Sequence, residues 1–404
     1  MRRKSYNLNE PACDPLLWSL DPSVIFLNHG SFGACPRAVL EYQRTLLDRM
    51  ERQPVQFLFR DLEPLLDESR AALAQFVGAN PDDLVFVTNA TEGINTVLHA
   101  IEFRAGDELL VTDHEYNACR NALDFIAHRS GARVVIAKIP FPISSSQEAV
   151  NAVLSAATER TRLALVDHVT SSTALVLPIA EMVAALKSRG IQTLIDGAHA
   201  PGMVPLDLRQ IGADYYAGNC HKWLCAPKTA GFLHVQTGLQ KQIHPLTISH
   251  GANSTRTDRS RFLLEFSWTG TRDFSAALSV PETLRFMSAL LPGGWPEIMA
   301  RNRELALTAR SLLCQELRIP LQCPEDMIGS MAAIPLSDAR SAAAQSGPLV
   351  LDSLKTVLLR QHNIEVPIII WPSHPHRLLR ISSQLYNSLP QYQQLASALG
   401  NGLL

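Results

Sequence analysis

The sequence predicts an α/β protein: a large domain with a mostly parallel seven-stranded sheet, followed by a smaller C-terminal α/β domain. Three observations carry this. Between about Pro64 and Gly231, short apolar runs alternate with helix-periodic segments, the mark of βαβ units. Those runs do not alternate in polarity, as expected of strands covered on both faces. After about Arg272 a long helical stretch leads into shorter strands and the alternation is lost.

Taken in order, the first sixty residues read as arms and one helix that pack beside the small domain. "PLLDESRAALAQFVGA" is an amphipathic helix with Leu65, Leu66, Ser69, Leu73, Phe76 and Val77 on one side. Seven runs then read as strands: "DLVFVTN", "DELLVTD", "ARVVIAKI", "TRLALVDHV", "IQTLIDGAH", "ADYYAGN" and "GFLHVQ". Between them stand the helices "TEGINTVLHAI", "NALDFIAHRS", one near Gln147, and "PIAEMVAALKSRG". The large domain spans 61–271. In the small domain, 272–404, the long helix "WPEIMARNRELALTARSLLCQEL" precedes "SMAAIPL", a helix at "LDSLKTVLLRQ", "IEVPIII" and "RLLRISS", with a mainly antiparallel sheet expected. "SSS" at 144–146 and the stretch 337–348 read as surface loops.

The bulk numbers exclude several classes. With 404 residues the chain exceeds one ordinary core. Formal charge is −2, from 36 basic and 38 acidic residues, so no nucleic-acid footprint is expected. No apolar run approaches the roughly 20 residues that span a bilayer, and the basic start lacks the apolar stretch of a secretory signal. Seven scattered cysteines argue for reduced thiols and a cytoplasmic home.

In an open parallel sheet, ligands gather at the carboxyl ends of the strands. Five polar clusters follow apolar runs there: "NATEGIN", "DHEYNA", "DHVTSST", "DGAHAPG" and "GNCHKW". Thr91 and Glu92 open a helix whose first N–H groups suit a phosphate, or Asn89 and Thr91 merely cap it. No dinucleotide fingerprint and no nucleotide P-loop is present. Asp196 ends a buried strand, where an acid is costly unless a cation meets it; helix capping is its plainer role. Lys222, in a partly apolar setting, would lose proton affinity and become nucleophilic; a snorkelling surface lysine is the alternative. Cys220 and Cys225 lack the spacing of a structural zinc site, so no metal is expected. Together the groups fit pyridoxal phosphate (PLP), which needs a phosphate cradle, a carboxylate on its ring nitrogen, a stacking partner and a lysine for its aldehyde.

The ordered motifs "NATEGIN", "DHEYNA", "DHVTSSTALVLPI", "DGAHAPG", "GNCHKWLCAPKTAGFL", "WTGTRD" and "RLLRISSQLYN" resemble the class V aminotransferase family of fold-type I PLP-dependent enzymes. The likeness runs from about Phe26 to about Asn387. "FLNHGSFGACP" and "RQPVQFLFRDL" are most similar to the isopenicillin N epimerase branch. The resemblance implies that Lys222 carries the cofactor, Asp196 pairs with its ring nitrogen, and His199 lies beside the ring. It implies phosphate contacts from Thr91, Glu92, Asn219 and His221. It places Tyr116 or His114 on the ring face, and Thr170 or Ser171 where many members carry an Asn. Gly270 and Thr271 would reach the phosphate of a neighbouring subunit, which implies a homodimer. Arg380 would grip the substrate α-carboxylate. His29, and Asn28 beside it, would meet the substrate, unless His29 is a loop residue satisfied by backbone.

The cofactor site does not choose the reaction; the substrate pocket does. The expectation is an epimerase or racemase acting on an amino acid or aminoacyl substrate. A C–S lyase acting on a cysteine conjugate or sulfoxide is the alternative, and transamination is third. "NIEVPIIIWPSHPHRLLR" contains no cysteine, which argues against a desulfurase that uses a mobile thiol there. Trp371, His374 and His376 in that segment would shape the pocket or belong to a solvated loop. A binding protein that has lost catalysis is disfavoured by the joint presence of Lys222, Asp196 and Arg380.

Overall fold

The computed structural model describes residues 6–339 and 352–400. The loop read at 337–348 falls, from residue 340 on, outside the described residues. The strands begin with β1 (Ile25–Phe26) in the N-terminal segment. The large sheet follows: β2 (Leu84–Val87), β3 (Glu108–Thr112), β4 (Arg133–Ala137), β5 (Thr161–Asp167), β6 (Gln192–Gly197), β7 (Tyr215–Asn219) and β8 (Gly231–Val235). Their order is β2-β8-β7-β6-β5-β3-β4. The pairings from β4 through β7 are parallel, and β8 runs against both its neighbours. Each of the seven runs read as a strand is one.

Apart from β4, the strands of this sheet are buried nearly throughout, which is why their sequences are continuous apolar runs. β4 lies at the edge and is largely exposed. Because β2, β3, β5, β6 and β7 point the same way, the five polar clusters leave from one edge of the sheet. The β5/β6 register sets Asp167 directly beside Asp196 at that edge.

The second sheet contains β9 (Met331–Leu336), β11 (Ile368–Ile370) and β12 (Arg377–Ser382), antiparallel in the order β11-β12-β9. "IEVPIII", read as one strand, is two. β10 (Ile364–Glu365) pairs in parallel with β1, and β11 pairs with β12. Pro367 between them has no N–H to continue a ladder, and its carbonyl accepts from Arg380 N–H at 3.2 Å. The N-terminal segment thereby packs with the small sheet. It also presses on the loop that carries Lys222. Gly33 has φ +71°, and a β-carbon there would fall 2.1 Å from the His221 carbonyl oxygen. Only glycine fits that approach.

Candidate active site

Lys222 follows β7, and its main chain is fixed from below. His29 is fully buried; its Nε2–H donates to the Lys222 carbonyl at 3.1 Å, and its Nδ1 accepts from the Tyr386 hydroxyl at 2.8 Å. The side-chain amine lies 3.0 Å from His199 Nε2. On the other side of that ring, the Trp223 indole N–H donates to Nδ1 at 3.3 Å. Indole is a donor only, so Nδ1 is bare. Burial holds His199 neutral, with the positive charges of Lys222 and Arg380 adding to the effect. With Nδ1 accepting from the indole, the single hydrogen of the neutral ring sits on Nε2, placed to donate to Nζ whenever the amine is unprotonated. The electrostatics bring that form within reach near neutral pH. Burial lowers the Lys222 pKa to about 8, against the pull of Asp196.

Asp196 sits at the end of β6, 3% exposed, facing the amine. Its Oδ1 accepts from Ala198 N–H at 2.9 Å, and the Cys119 thiol lies 3.3 Å from Oδ2. Burial raises its pKa, countered by these bonds and by Lys222. Two further acids adjoin it. Glu115 and Asp167 are hydrogen-bonded to each other, and burial together with the neighbouring acids pushes both pKa values well up. Glu115, Cys119 and Asp196 place donor atoms within 4.8 Å of one another.

The third part is the start of the helix Ala90–Ala100. Asn89 caps it, its Oδ1 accepting from Glu92 N–H at 2.9 Å, while Asn219 Oδ1 accepts from Ala90 N–H at 2.8 Å. The Glu92 carboxylate turns back to Thr88, taking its N–H at 2.7 Å and its hydroxyl. This is a reciprocal cap. It corrects the expectation for Glu92, whose N–H and carboxylate are both engaged locally and whose charge would repel a phosphate. Thr91 N–H, in the first turn, has no acceptor within the helix. His221 donates through Nδ1 to the Ala230 carbonyl at 3.1 Å, and burial lowers its pKa to about 4.

Arg380, from β12, closes the site. Its Nη1 donates to the Ser171 carbonyl at 2.6 Å and its Nη2 to the Ser31 hydroxyl at 3.1 Å, while Nε is buried without a partner. Among the described residues no carboxylate forms an ion pair with it. Burial pulls its pKa down to about 10. A guanidinium held this way lacks its anion.

The remaining expected residues divide. Tyr116 is half exposed, and its phenol feels the charges of Asp196 and Arg380. His114 is buried with both nitrogens taken, accepting from the Thr173 hydroxyl at 2.7 Å and donating to the Ile139 carbonyl at 2.9 Å; its ring packs on Trp371 at 4.8 Å. Thr170 Oγ1 accepts from Leu175 N–H at 2.8 Å and pairs with Thr173 at 2.7 Å, which spends the hydroxyl on its own turn. The substrate roles expected of His29 and Asn28 are corrected. His29 supports the lysine main chain, and Asn28 bonds Glu365 and Ser31. Gly270 and Thr271 are not among the groups that meet Lys222, Asp196 or Arg380, and Thr271 is exposed. His376 pairs with Asp338 at 2.9 Å on the exposed loop. The sequence reading did not single out Trp223, Cys119, Glu115 or Asp167. Their signal was position: each lies within or beside a polar cluster at a strand end.

The donor set fits PLP. A lysine amine of lowered proton affinity at 222, a buried acid at 196, an open helix start at Thr91 and a guanidinium with an orphaned nitrogen converge on one edge. The model of the aminotransferase class-V family matches residues 35–388. The chain is 35% identical to isopenicillin N epimerase of Streptomyces clavuligerus, over 94% of this chain and 95% of that one. It is 33% identical to a probable chloroplastic L-cysteine desulfhydrase of Arabidopsis thaliana, over 95% of this chain and 84% of that one. Among solved structures, the cystine C–S lyase C-DES with its product cysteine persulfide superposes with TM-score 0.74 at 21% identity, covering 94% of this chain and 98% of that one. That likeness shows the fold.

Proposed function

The chain belongs to the aminotransferase class-V family and is a PLP-dependent enzyme of fold type I, and on that premise we propose that it is an epimerase or racemase acting at the α-carbon of an amino acid or aminoacyl substrate. The observation that carries the proposal is the pairing of a Lys222 whose proton affinity is lowered by burial with an anion-less Arg380 across Asp196.

When bound, the cofactor supplies an electron sink for the α-carbon. Lys222 would hold its aldehyde, and its Nζ is the group that would take or return the α-proton. Nε2–H of His199 orients that nitrogen. Asp196 would hold a proton on the ring nitrogen. Thr91 and Asn219 would hold the phosphate at the helix start, with His221 beside them. Tyr116, half exposed beside Asp196 and Arg380, would cover the ring face, while His114 is buried with its ring packed on Trp371. Arg380 receives the α-carboxylate as a bidentate partner.

Epimerisation is favoured by 35–36% identity to two isopenicillin N epimerases along nearly the full length of both partners. The specific observation behind a second reading, a C–S lyase, is the comparable identity to cysteine desulfhydrases. Incubation of an amino-acid and cysteine-conjugate panel in deuterated water separates them. Uptake of deuterium at the α-carbon with inversion and no net consumption supports the epimerase. Release of pyruvate and sulfide from L-cysteine overturns it in favour of the lyase.

We also propose a homodimer with Gly270 and Thr271 reaching the partner's phosphate site. Exposed Val55, Phe59, Leu246 and Ile248, and a cavity of about 360 Å³ lined by Leu58, Leu62, Leu264 and Trp268, offer the apolar surface. A cytoplasmic setting rests on seven unbridged cysteines. No helix among the described residues is long and apolar enough to cross a membrane.

A further inference from the structure

Two acceptors from different parts of the fold hold the fork of Arg380. Nη1 meets the Ser171 carbonyl, in the loop after β5, at 2.6 Å. Nη2 meets the Ser31 hydroxyl, in the N-terminal segment, at 3.1 Å. A carbonyl can only accept. A hydroxyl can also donate, and one that turned its hydrogen toward Nη2 would oppose the guanidinium. Whatever fixes the hydrogen of Ser31 therefore bears on where the fork points.

That hydrogen is spent elsewhere. Ser31 Oγ–H donates to Asn28 Oδ1 at 2.6 Å. Asn28 is oriented in its turn, because Nδ2 donates to Glu365 Oε1 at 3.1 Å. A carboxylate only accepts, so reversing the amide would set oxygen against oxygen. Lys355 Nζ lies 3.3 Å from the same Oε1 and ends the row. From Glu365 through Asn28 and Ser31 to Arg380, each hydrogen bond has one allowed direction.

The main chain beneath this row is fixed independently of it. Gly30 N–H donates to the Ser382 hydroxyl at 3.0 Å, and Ser382 N–H donates to the Leu27 carbonyl at 3.0 Å. Ser31 N–H donates to the Asn28 carbonyl at 3.2 Å. Ser382 ends β12, the strand that carries Arg380. The segment bearing the serine is thus anchored to the strand bearing the arginine. Loss of the Ser31 hydroxyl removes an acceptor without releasing that segment.

We propose that Ser31 is a positioning residue for carboxylate recognition: its hydroxyl, turned by Asn28, presents a lone pair to Nη2 and aims the fork of Arg380 at the substrate. The proposal rests on the reading of Arg380 as the α-carboxylate site. The N–H groups left over, the unpartnered Nε–H among them, are those offered to the anion. A fork aimed before the substrate arrives loses little freedom on binding. The benefit falls on a carboxylate, which bonds a guanidinium with charge assistance, more than on a neutral amide.

The test uses the PLP-reconstituted full chain, titrated with L-alanine and with L-alaninamide while the visible band of the bound cofactor is followed. The wild type is expected to favour the acid. Ser31→Ala is expected to weaken L-alanine about tenfold and L-alaninamide little, with PLP affinity unchanged. Asn28→Ala frees the hydroxyl to turn its hydrogen toward Nη2 and is expected to follow Ser31→Ala. Ser31→Thr keeps the oxygen and is expected to restore the preference for the acid. Should Asn28→Ala fail to fold, the contrast between the two Ser31 variants makes the same test. A preference unmoved in Ser31→Ala, or lost equally in Ser31→Ala and Ser31→Thr, overturns the proposal and leaves the role of Arg380 standing. A wild type with no preference for the acid overturns the carboxylate role of Arg380 itself, and that of Ser31 with it.

Discussion

Trp223 decides which nitrogen of His199 carries a hydrogen, and through it the charge on Lys222. With the indole in place, the Nε2 hydrogen faces the amine and favours its unprotonated form. Trp223→Phe frees Nδ1, so Nε2 is able to accept from an ammonium, and the lysine pKa rises from about 8 toward its ordinary value. Stopped-flow condensation of PLP with the apoprotein is expected to show its pH midpoint move upward, with a rate at pH 7.5 lower by roughly tenfold. An unmoved midpoint denies Trp223 that role. Arg380 makes a second residue-scale prediction. Arg380→Lys keeps a charge but loses the planar fork, and KM for a carboxylate-bearing substrate is expected to rise about 10- to 100-fold with a smaller change in kcat. Equal loss in both parameters would point to a collapsed site. The sequence made Lys222, Asp196 and Arg380 legible because an ionisable group at the end of an apolar run demands a reason. Glu115 and Asp167 were not legible, because their partnership depends on strand register and on a loop's reach. His29 looked like a substrate contact only because nothing in its neighbourhood reveals that it lies under the Lys222 carbonyl.

At the scale of elements, the helix Ala90–Ala100 is the proposed phosphate end of the site, where its cap would be shared between capping and binding. Asn89 and Glu92 satisfy each other's neighbourhood, leaving Thr91 N–H outward. Asn89→Ala is expected to cost about 1 kcal/mol of stability and to weaken PLP binding measurably in fluorescence titration. A loss of stability with unchanged affinity would separate the cap from the cofactor site. The large sheet was legible strand by strand because parallel strands covered on both faces leave continuous apolar runs. The break in "IEVPIII" was not. Its proline was visible, but that the two halves serve different sheets is settled by where β1 arrives from the other end of the chain.

For the whole molecule, the site belongs to no single part. The large sheet supplies Asp196, Lys222 and the helix start, the small sheet supplies Arg380, and the N-terminal segment buttresses the lysine loop through His29 and Gly33. Contacts across more than 300 residues of sequence hold this together, such as His29 to Tyr386. The order of motifs made the family legible, while the long-range packing that turns His29 inward was beyond any local pattern. The central claim is that one amine in this assembly carries the cofactor. Borohydride reduction of the PLP-reconstituted protein, followed by peptide mapping, tests it most directly. The account predicts a phosphopyridoxyl group on Lys222; a label on another lysine, or none at all in reconstituted protein, would contradict it.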